Sequence, residues 1–268
     1  MLRRSRVLES LRAGKQTAHA KLNLSDPRVI EICGIVGVPC VWLCNEHVPN
    51  TWLNIENQIR AAKIYDVDTI VRVEKGCYND FIKPFEADAT GIMVPHVVTA
   101  DEAREIVEWT RFYPIGKRAL DGGNSEGRYC QIPMDEYIHH SNTERFVILQ
   151  IESPEALENV DEIAAVEGYE MLCFGPGDFP QRIGKPGDIS APEVVAARKK
   201  VAAAARKHGK VMMAPGMMAP KEVLDEEGFT FYGLGADVIS LASFFKGQVE
   251  DFFGKDATTA ATQYDVAK

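Results

Sequence analysis

No run in the 268-residue chain approaches the roughly 20 consecutive apolar residues that a helix needs to cross a bilayer, which argues against a membrane-embedded protein. Positive charge is in short supply. Thirty Lys and Arg against 39 Asp and Glu leave a net charge of -9, the wrong sign for neutralising the phosphates of nucleic acid or an anionic membrane surface. No C-x-x-C pair occurs among the six cysteines, Cys33, Cys40, Cys44, Cys77, Cys130 and Cys173. They are scattered, several of them in apolar runs such as Cys40-Val-Trp-Leu-Cys44. They therefore read as reduced thiols packed like small hydrophobes, and the expected compartment is the cytoplasm. The basic opening, Met1 to Arg12, lacks an apolar signal core, and Leu2, Val7, Leu8 and Leu11 have the spacing of a short amphipathic helix. There is no internal repeat and no dividing linker. With 46% hydrophobic and 26% charged residues, the composition is that of a soluble globular domain long enough to bury one large core.

From Thr17 to about Phe253, short apolar runs alternate with longer periodic segments, the signature of a parallel sheet with crossover helices. The candidate strands are His19–Leu24, Cys40–Cys44, Thr69–Arg72, Gly91–Val94, Phe146–Ile151, Met171–Phe174, Lys210–Met213 and Val238–Leu241. Eight β/α units in this length fit a closed (β/α)8 TIM barrel better than an open doubly wound sheet. The expected organisation is one barrel domain, 1–254, followed by a tail, 255–268, rich in Ala, Thr and Asp. Thr99-Ala-Asp-Glu102 is a capping box, Ser153-Pro154 an N-cap with proline at the first helical position, and Pro192 opens a long helix that stops at Gly209. Pro114–Asn142, with Gly122, Gly123, Gly127 and Pro133, shows little periodicity and reads as a long excursion after strand 4. His139 and His140 within it read as solvated.

In such a barrel the active site lies at the C-terminal ends of the strands, so polar residues that end apolar runs are the candidates. Glu152 and Asp178 close successive strands. Two convergent carboxylates, completed by water and substrate oxygens, suit Mg²⁺ or Mn²⁺. Alternatively, each acid caps the helix that follows. Arg72 ends strand 3 and either opposes oxyanion charge at the mouth or pairs with one of the acids. His47, read as the only histidine at a strand's C-terminal end, suits general acid–base work near neutral pH. Gly175-Pro176-Gly177 can expose backbone N–H groups to a carboxylate.

Taken together, Asn45-Glu-His-Val-Pro-Asn50, Val71-Arg72, Met93-Val-Pro-His96, Gln150-Ile-Glu152 and Phe174-Gly-Pro-Gly-Asp178 closely resemble the HpcH/HpaI family of class II pyruvate aldolases, which includes 4-hydroxy-2-oxoheptanedioate and 2-dehydro-3-deoxyglucarate aldolases. The similarity stays in register from about Thr17 to Phe253, through Thr110-Arg-Phe-Tyr-Pro-Ile-Gly116 and Gly235-Ala-Asp237. The resemblance implies a lyase that reversibly cleaves a 4-hydroxy-2-oxo acid to pyruvate and an aldehyde, with oxaloacetate decarboxylation as a side activity. It implies that Glu152 and Asp178 ligate a divalent metal, Mg²⁺, Mn²⁺ or Co²⁺. By the same resemblance Gln150 and the backbone of Gly175, Pro176 and Gly177 seat the keto acid, Arg72 steadies the enolate oxygen and His47 is the base. Glu86 falls where the family has an aspartate partnering that histidine. The resemblance also implies a homo-oligomer, a dimer, trimer or hexamer, whose C-terminal helix around Phe244–Phe253 is exchanged with or packed on a neighbour.

This chain departs from the pattern at two places. The family usually reads Asp-Gly-Glu-His ahead of its base, whereas here it is Cys44-Asn-Glu-His47, so an acid beside the site has become a thiol. Lys21, on strand 1, stands where well-known members carry a tryptophan lining the substrate pocket, and points to an aldehyde site that prefers an anionic or hydroxylated acceptor. Lys21 also raises a Schiff-base mechanism as a rival. Two further readings remain: a lyase acting on CoA thioesters, as in the citrate and malyl-CoA lyases, and a barrel that binds a keto acid without turnover, which Cys44 favours.

Overall fold

The computed structural model describes residues 2–216 and 218–257. Eight strands close into a parallel barrel in chain order: β1 Thr17–Leu22, β2 Cys40–Cys44, β3 Asp68–Arg72, β4 Gly91–Val94, β5 Phe146–Ile151, β6 Met171–Phe174, β7 Val211–Ala214 and β8 Phe229–Ala236. The helices are α1 Arg6–Arg12, α2 Pro27–Ile35, α3 Trp52–Ile64, α4 Tyr78–Glu86, α5 Ala100–Thr110, α6 Met134–Glu144, α7 Pro154–Glu158, α8 Val160–Ala164, α9 Asp178–Arg182, α10 Pro192–Lys207, α11 Lys221–Glu227 and α12 Asp237–Phe253.

The period-2 alternation of strand side chains divides the apolar residues between two cores. In β2, Cys40 and Trp42 point into the barrel with Ile70, Met93, Ile148, Cys173 and Phe231. Val41 and Leu43 point outward, against the helices. Val7 and Leu8 of α1 join the inner core, so α1 plugs the barrel at the N-terminal ends of the strands. Its hold on the barrel is polar: the Ser5 hydroxyl and the Val7 N–H both donate to Asp68 Oδ2, at 2.7 and 2.9 Å. The helix starts form where the side chains allow. The Thr99 hydroxyl accepts from the Glu102 N–H in a capping box, and Ser153 caps α7 with Pro154 behind it.

The last strand is a correction. Val238–Leu241 lies inside α12, and β8 is Phe229–Ala236, which pairs with β7 and with Thr17, Ala18 and His19 of β1. A four-residue apolar run fits a strand or a helix equally, and here Asp237 sets the outcome. Its carboxylate accepts the N–H groups of Asn23 and Leu24, both at 2.9 Å, which pins the start of α12 to the end of β1. Of the predicted tail, Lys255–Ala257 forms a 3-10 turn, and its remaining residues lie outside the described residues.

The excursion after α5 is also more ordered than its composition suggests, since α6 occupies its end. Glu126 is fully buried and is held by Arg118 at 2.7 Å, Arg145 at 3.1 Å, Ser141 at 2.8 Å and Tyr137 at 3.0 Å. Arg145 and Lys63 in turn neutralise Asp88. Removing one member of such a buried pair strands its partner, so Glu126→Gln is expected to destabilise the fold by about 3–5 kcal/mol in urea unfolding. Unchanged stability would mean that the cluster is solvated.

His140 is buried, not solvated, whereas His139 is exposed. Burial, aided by Arg145, lowers the pKa of His140 to about 4. Burial alone lowers that of His19, inside the barrel, to about 4, against the carbonyl of Ala214 at 3.1 Å. Both are depressed below the unfolded value near 6.5, so the unfolded chain takes up these protons first. Stability is therefore expected to be intact above about pH 6.5 and to fall as the pH drops towards 4, with His19 contributing up to about 3 kcal/mol of the loss. Thermal melts between pH 7 and 4.5 test this, and His19→Asn should flatten the curve.

Candidate active site

Polar side chains converge where the strands end. Glu152 follows β5 directly and is 1% exposed. Its Oε1 accepts the His96 N–H at 2.7 Å, and its Oε2 accepts Gln150 Nε2 at 2.6 Å. It is not a helix cap, since Ser153 takes that role for α7. Across from it the chain leaves β6 through Gly175, whose N–H donates to the Ile151 carbonyl at 2.9 Å. A Cβ on Gly175 would sit 2.4 Å from the Glu152 Cβ and 2.7 Å from its Oε2, so glycine is required for the two strand ends to approach. Asp178 opens the five-residue α9, with Gly177 as its N-cap. Burial pushes the Glu152 carboxyl up to about 7, and the charges of Asp178 and Glu46 add to the rise. The charges of Asp178 and Glu46, both partly exposed, thus act on a carboxylate that is itself buried.

The opposite side of the mouth is cationic. Arg72, at the end of β3, is 4% exposed, places Nε 3.0 Å from Glu46 Oε2 and donates to Cys44 Sγ at 3.2 Å. Its guanidinium lies 4.9 Å from the centre of the Trp42 ring, and Lys21 Nζ lies 5.1 Å from the same centre. No described residue accepts a hydrogen bond from Lys21. Burial, then the charge of Arg72, lowers its pKa. His47 follows β2 with its side chain more than half exposed, its backbone N–H 3.4 Å from Cys44 Sγ and its Nε2 3.6 Å from Glu46 Oε2. Asn50 donates to the Cys44 carbonyl at 3.1 Å and closes the turn that carries these residues.

Of the candidates read from the sequence, His47, Arg72, Gln150, Glu152, Gly175, Pro176, Gly177, Asp178 and Lys21 all lie on this rim or just inside it. Glu86 does not. It ends α4, which runs back from the rim, and its carbonyl accepts N–H groups of Ser125 and Glu126. Burial raises its pKa against the pull of Arg118. The carboxylate that faces His47 within the chain is its neighbour, Glu46. His96 also corrects the expectation that His47 alone follows a strand end. It lies two residues beyond β4 with Nδ1 2.9 Å from Glu152 Oε1 and Nε2 3.2 Å from Glu46 Oε1. The sequence signal was present, because Pro95-His96 directly follows the apolar run Gly91–Val94.

Comparison with known proteins fits this arrangement. Residues 22–243 match the HpcH/HpaI aldolase/citrate lyase family. The chain is 32% identical over 242 residues to a hydroxypyruvate/pyruvate aldolase of Delftia acidovorans, covering 88% of this chain and 85% of that protein. It is 32% identical over 241 residues to a 4-hydroxy-2-oxo-heptane-1,7-dioate aldolase of Escherichia coli, covering 87% of this chain and 89% of that one. Among solved structures, an HpcH/HpaI aldolase from Desulfitobacterium hafniense superposes with a TM-score of 0.85 at 27% identity, covering 91% of this chain and 95% of the other. The match spans nearly the whole barrel, and both strand ends that carry Glu152 and Asp178 lie inside it: the chain belongs to the HpcH/HpaI aldolase/citrate lyase family.

Proposed function

We propose that the protein is a divalent-metal-dependent aldolase that reversibly cleaves a 4-hydroxy-2-oxo acid to pyruvate and an aldehyde. The observation that carries this reading is the polarity of the mouth, with Glu152 and Asp178 on the β5–β6 side and Arg72 and Lys21 on the β1–β3 side. The acids fit a cation. Glu152 is buried beside two other carboxylates that raise its proton affinity, and Gln150 Oε1 is a buried acceptor without a partner. The carboxylate oxygens of Glu152 and Asp178 suit Mg²⁺, Mn²⁺ or Co²⁺, ions whose shells are completed by water and substrate oxygens; among the described residues no three His, Cys, Asp or Glu form a cage. Glu152 and Asp178 would hold the ion, and when bound it would supply Lewis acidity towards the 2-oxo group, worth several kcal/mol.

The chain's own groups do the remaining work. Gln150 and the backbone turn Gly175–Gly177 seat the keto-acid carboxylate, with the Gly177 N–H as the donor because that of Gly175 is held by the Ile151 carbonyl. His47 takes the proton from the C4 hydroxyl, the C3–C4 bond breaks, and its electron pair passes into the pyruvate enolate as the aldehyde leaves. Arg72, buried and fixed by Glu46 and Cys44, donates to the enolate oxygen. Protonation at C3 then releases pyruvate. General-base assistance of this kind contributes about 10²–10⁴ in rate. Oxaloacetate decarboxylation shares the enolate and is an expected side activity. The test is pyruvate release from a 4-hydroxy-2-oxo acid. It should stop with EDTA and return with Mg²⁺, Mn²⁺ or Co²⁺, and release that survives complete chelation would refute the metal assignment.

Lys21 sets the acceptor. Among the described residues its ammonium has no acceptor, and it lies beside Arg72, so an aldehyde with a carboxylate or hydroxyls relieves both. Lys21→Met is expected to reduce kcat/KM for glyoxylate or succinic semialdehyde about 10- to 100-fold, leaving the KM for pyruvate and the rate with an uncharged aldehyde nearly unchanged. Equal losses with both acceptor types would assign Lys21 elsewhere.

The apolar side chains of α12, among them Phe244 and Phe245, each 60% exposed, and Phe252, 81% exposed, support burial of this helix on another copy in a homo-oligomer. No helix among the described residues is long and apolar enough to cross a membrane. Six unpaired cysteines support a cytoplasmic location.

A further inference from the structure

We propose that His96 is a positioning residue that ties Glu46 to Glu152 and thereby fixes the orientation of both His47 and Arg72. For its kinetic consequences the inference rests on the aldolase reading above.

Cys44 creates the need for such a residue. A thiol is a weak acceptor, yet here it receives both the Arg72 guanidinium and the His47 N–H. Arg72 takes its charged partner from Glu46 instead, at 3.0 Å. That same Glu46 oxygen is the one facing His47 at 3.6 Å. One carboxylate therefore serves two residues of the reaction, and it stands on a turn outside the strands. Its other oxygen, Oε1, is left to hold it from the far side, and among the described residues His96 Nε2 lies 3.2 Å from that oxygen.

His96 is itself held firmly. Its backbone has φ +55°, a left-handed conformation that costs a residue with a Cβ about 1–2 kcal/mol. Such strain persists only where the surroundings impose it. The His96 N–H and Nδ1 both meet Glu152 Oε1, at 2.7 and 2.9 Å. Its carbonyl accepts Lys75 Nζ at 2.6 Å, and Arg182 lies 3.4 Å from Nδ1. The result is a continuous path from the β5 carboxylate through His96 and Glu46 to the side chains at the ends of β2 and β3. Two halves of the mouth that share no strand pairing are locked at one separation.

The test uses His96→Gly in the full-length protein. Glycine adopts a positive φ without cost, so this variant should melt within a few degrees of the wild type. Losses of neighbours that orient metal ligands and bases are typically about 10- to 100-fold, and a fall of that size is expected in kcat for pyruvate release. Exogenous imidazole should restore a large part of it by refilling the gap. The affinity for Mn²⁺, read by electron paramagnetic resonance without substrate, should weaken about 10-fold. Glu46→Gln should lose a similar factor in kcat, and the double variant should be little worse than either alone, because both break one path. Wild-type kcat and Mn²⁺ affinity in His96→Gly would overturn the proposal. So would a loss that imidazole leaves unrepaired and that multiplies with the Glu46→Gln loss, since that pattern marks ordinary structural damage. A wild-type protein without turnover would overturn the aldolase reading instead, and the Mn²⁺ measurement would still decide the role of His96.

Discussion

Glu152→Gln and Asp178→Asn are each expected to lower kcat/KM for cleavage of a 4-hydroxy-2-oxo acid by at least about 10³-fold, corresponding to about 4 kcal/mol of lost transition-state stabilisation. Both substitutions keep shape and volume while removing a negative charge. Glu152 is the more demanding position, since its two oxygens already answer His96 and Gln150. An amide there would turn a donor towards Gln150 Nε2 or towards the His96 N–H, and neither can accept it. The effect should therefore include weaker Mn²⁺ binding by the free protein as well as lost turnover. Steady-state kinetics at saturating metal, together with a binding isotherm, separate the two. If Glu152→Gln keeps more than a tenth of wild-type kcat/KM, the carboxylate is not at the reacting centre.

Arg72→Ala is expected to reduce kcat about 10²–10³-fold with a smaller change in KM, because enolate charge grows only as the C3–C4 bond breaks. Its burial strengthens the effect: at 4% exposure no water replaces the guanidinium cheaply. Arg72→Lys restores the charge but not the planar fork that meets Glu46 and Cys44 together, so it should recover only part of the rate. A loss confined to KM would instead make Arg72 a ground-state anchor for the keto-acid carboxylate. Comparing kcat and KM for the three proteins distinguishes these roles.

The legibility of this molecule in its sequence follows the range of the interactions involved. β5 and β6 are readable because each is a short apolar run terminated by glycine or an acid, and the barrel places such ends on one rim. β8 is not, because Gly233 and Gly235 interrupt its apolar pattern while Val238–Leu241, a few residues later, imitates a strand. The contact that decides the matter, Asp237 with the backbone of Asn23 and Leu24, joins opposite ends of the chain. The pair Glu152 and Asp178 is visible because each follows the end of an apolar strand, directly after β5 and through a Gly-Pro-Gly turn after β6, whereas the Glu46–His96 bridge depends on a left-handed residue in a loop. Glu86 illustrates the same limit from the other side. A motif fixes its position along the chain, whereas its place at the end of α4, which runs back from the rim, is set by the fold. The buried cluster around Glu126 was equally hidden, since Arg118, Glu126 and Arg145 look like surface charges until the excursion folds over them.

The central claim is that this barrel makes an enolate of pyruvate at Glu152, Asp178 and Arg72. It is tested most directly without any aldehyde, by following the exchange of the pyruvate methyl protons in D₂O by NMR. With Mn²⁺ removed before detection, or with Mg²⁺ throughout, the wild-type protein should exchange these protons far faster than buffer with metal alone. Chelation or Glu152→Gln should return the rate to background. Exchange at the background rate in the metal-loaded wild type, or undiminished exchange after chelation, would contradict the account.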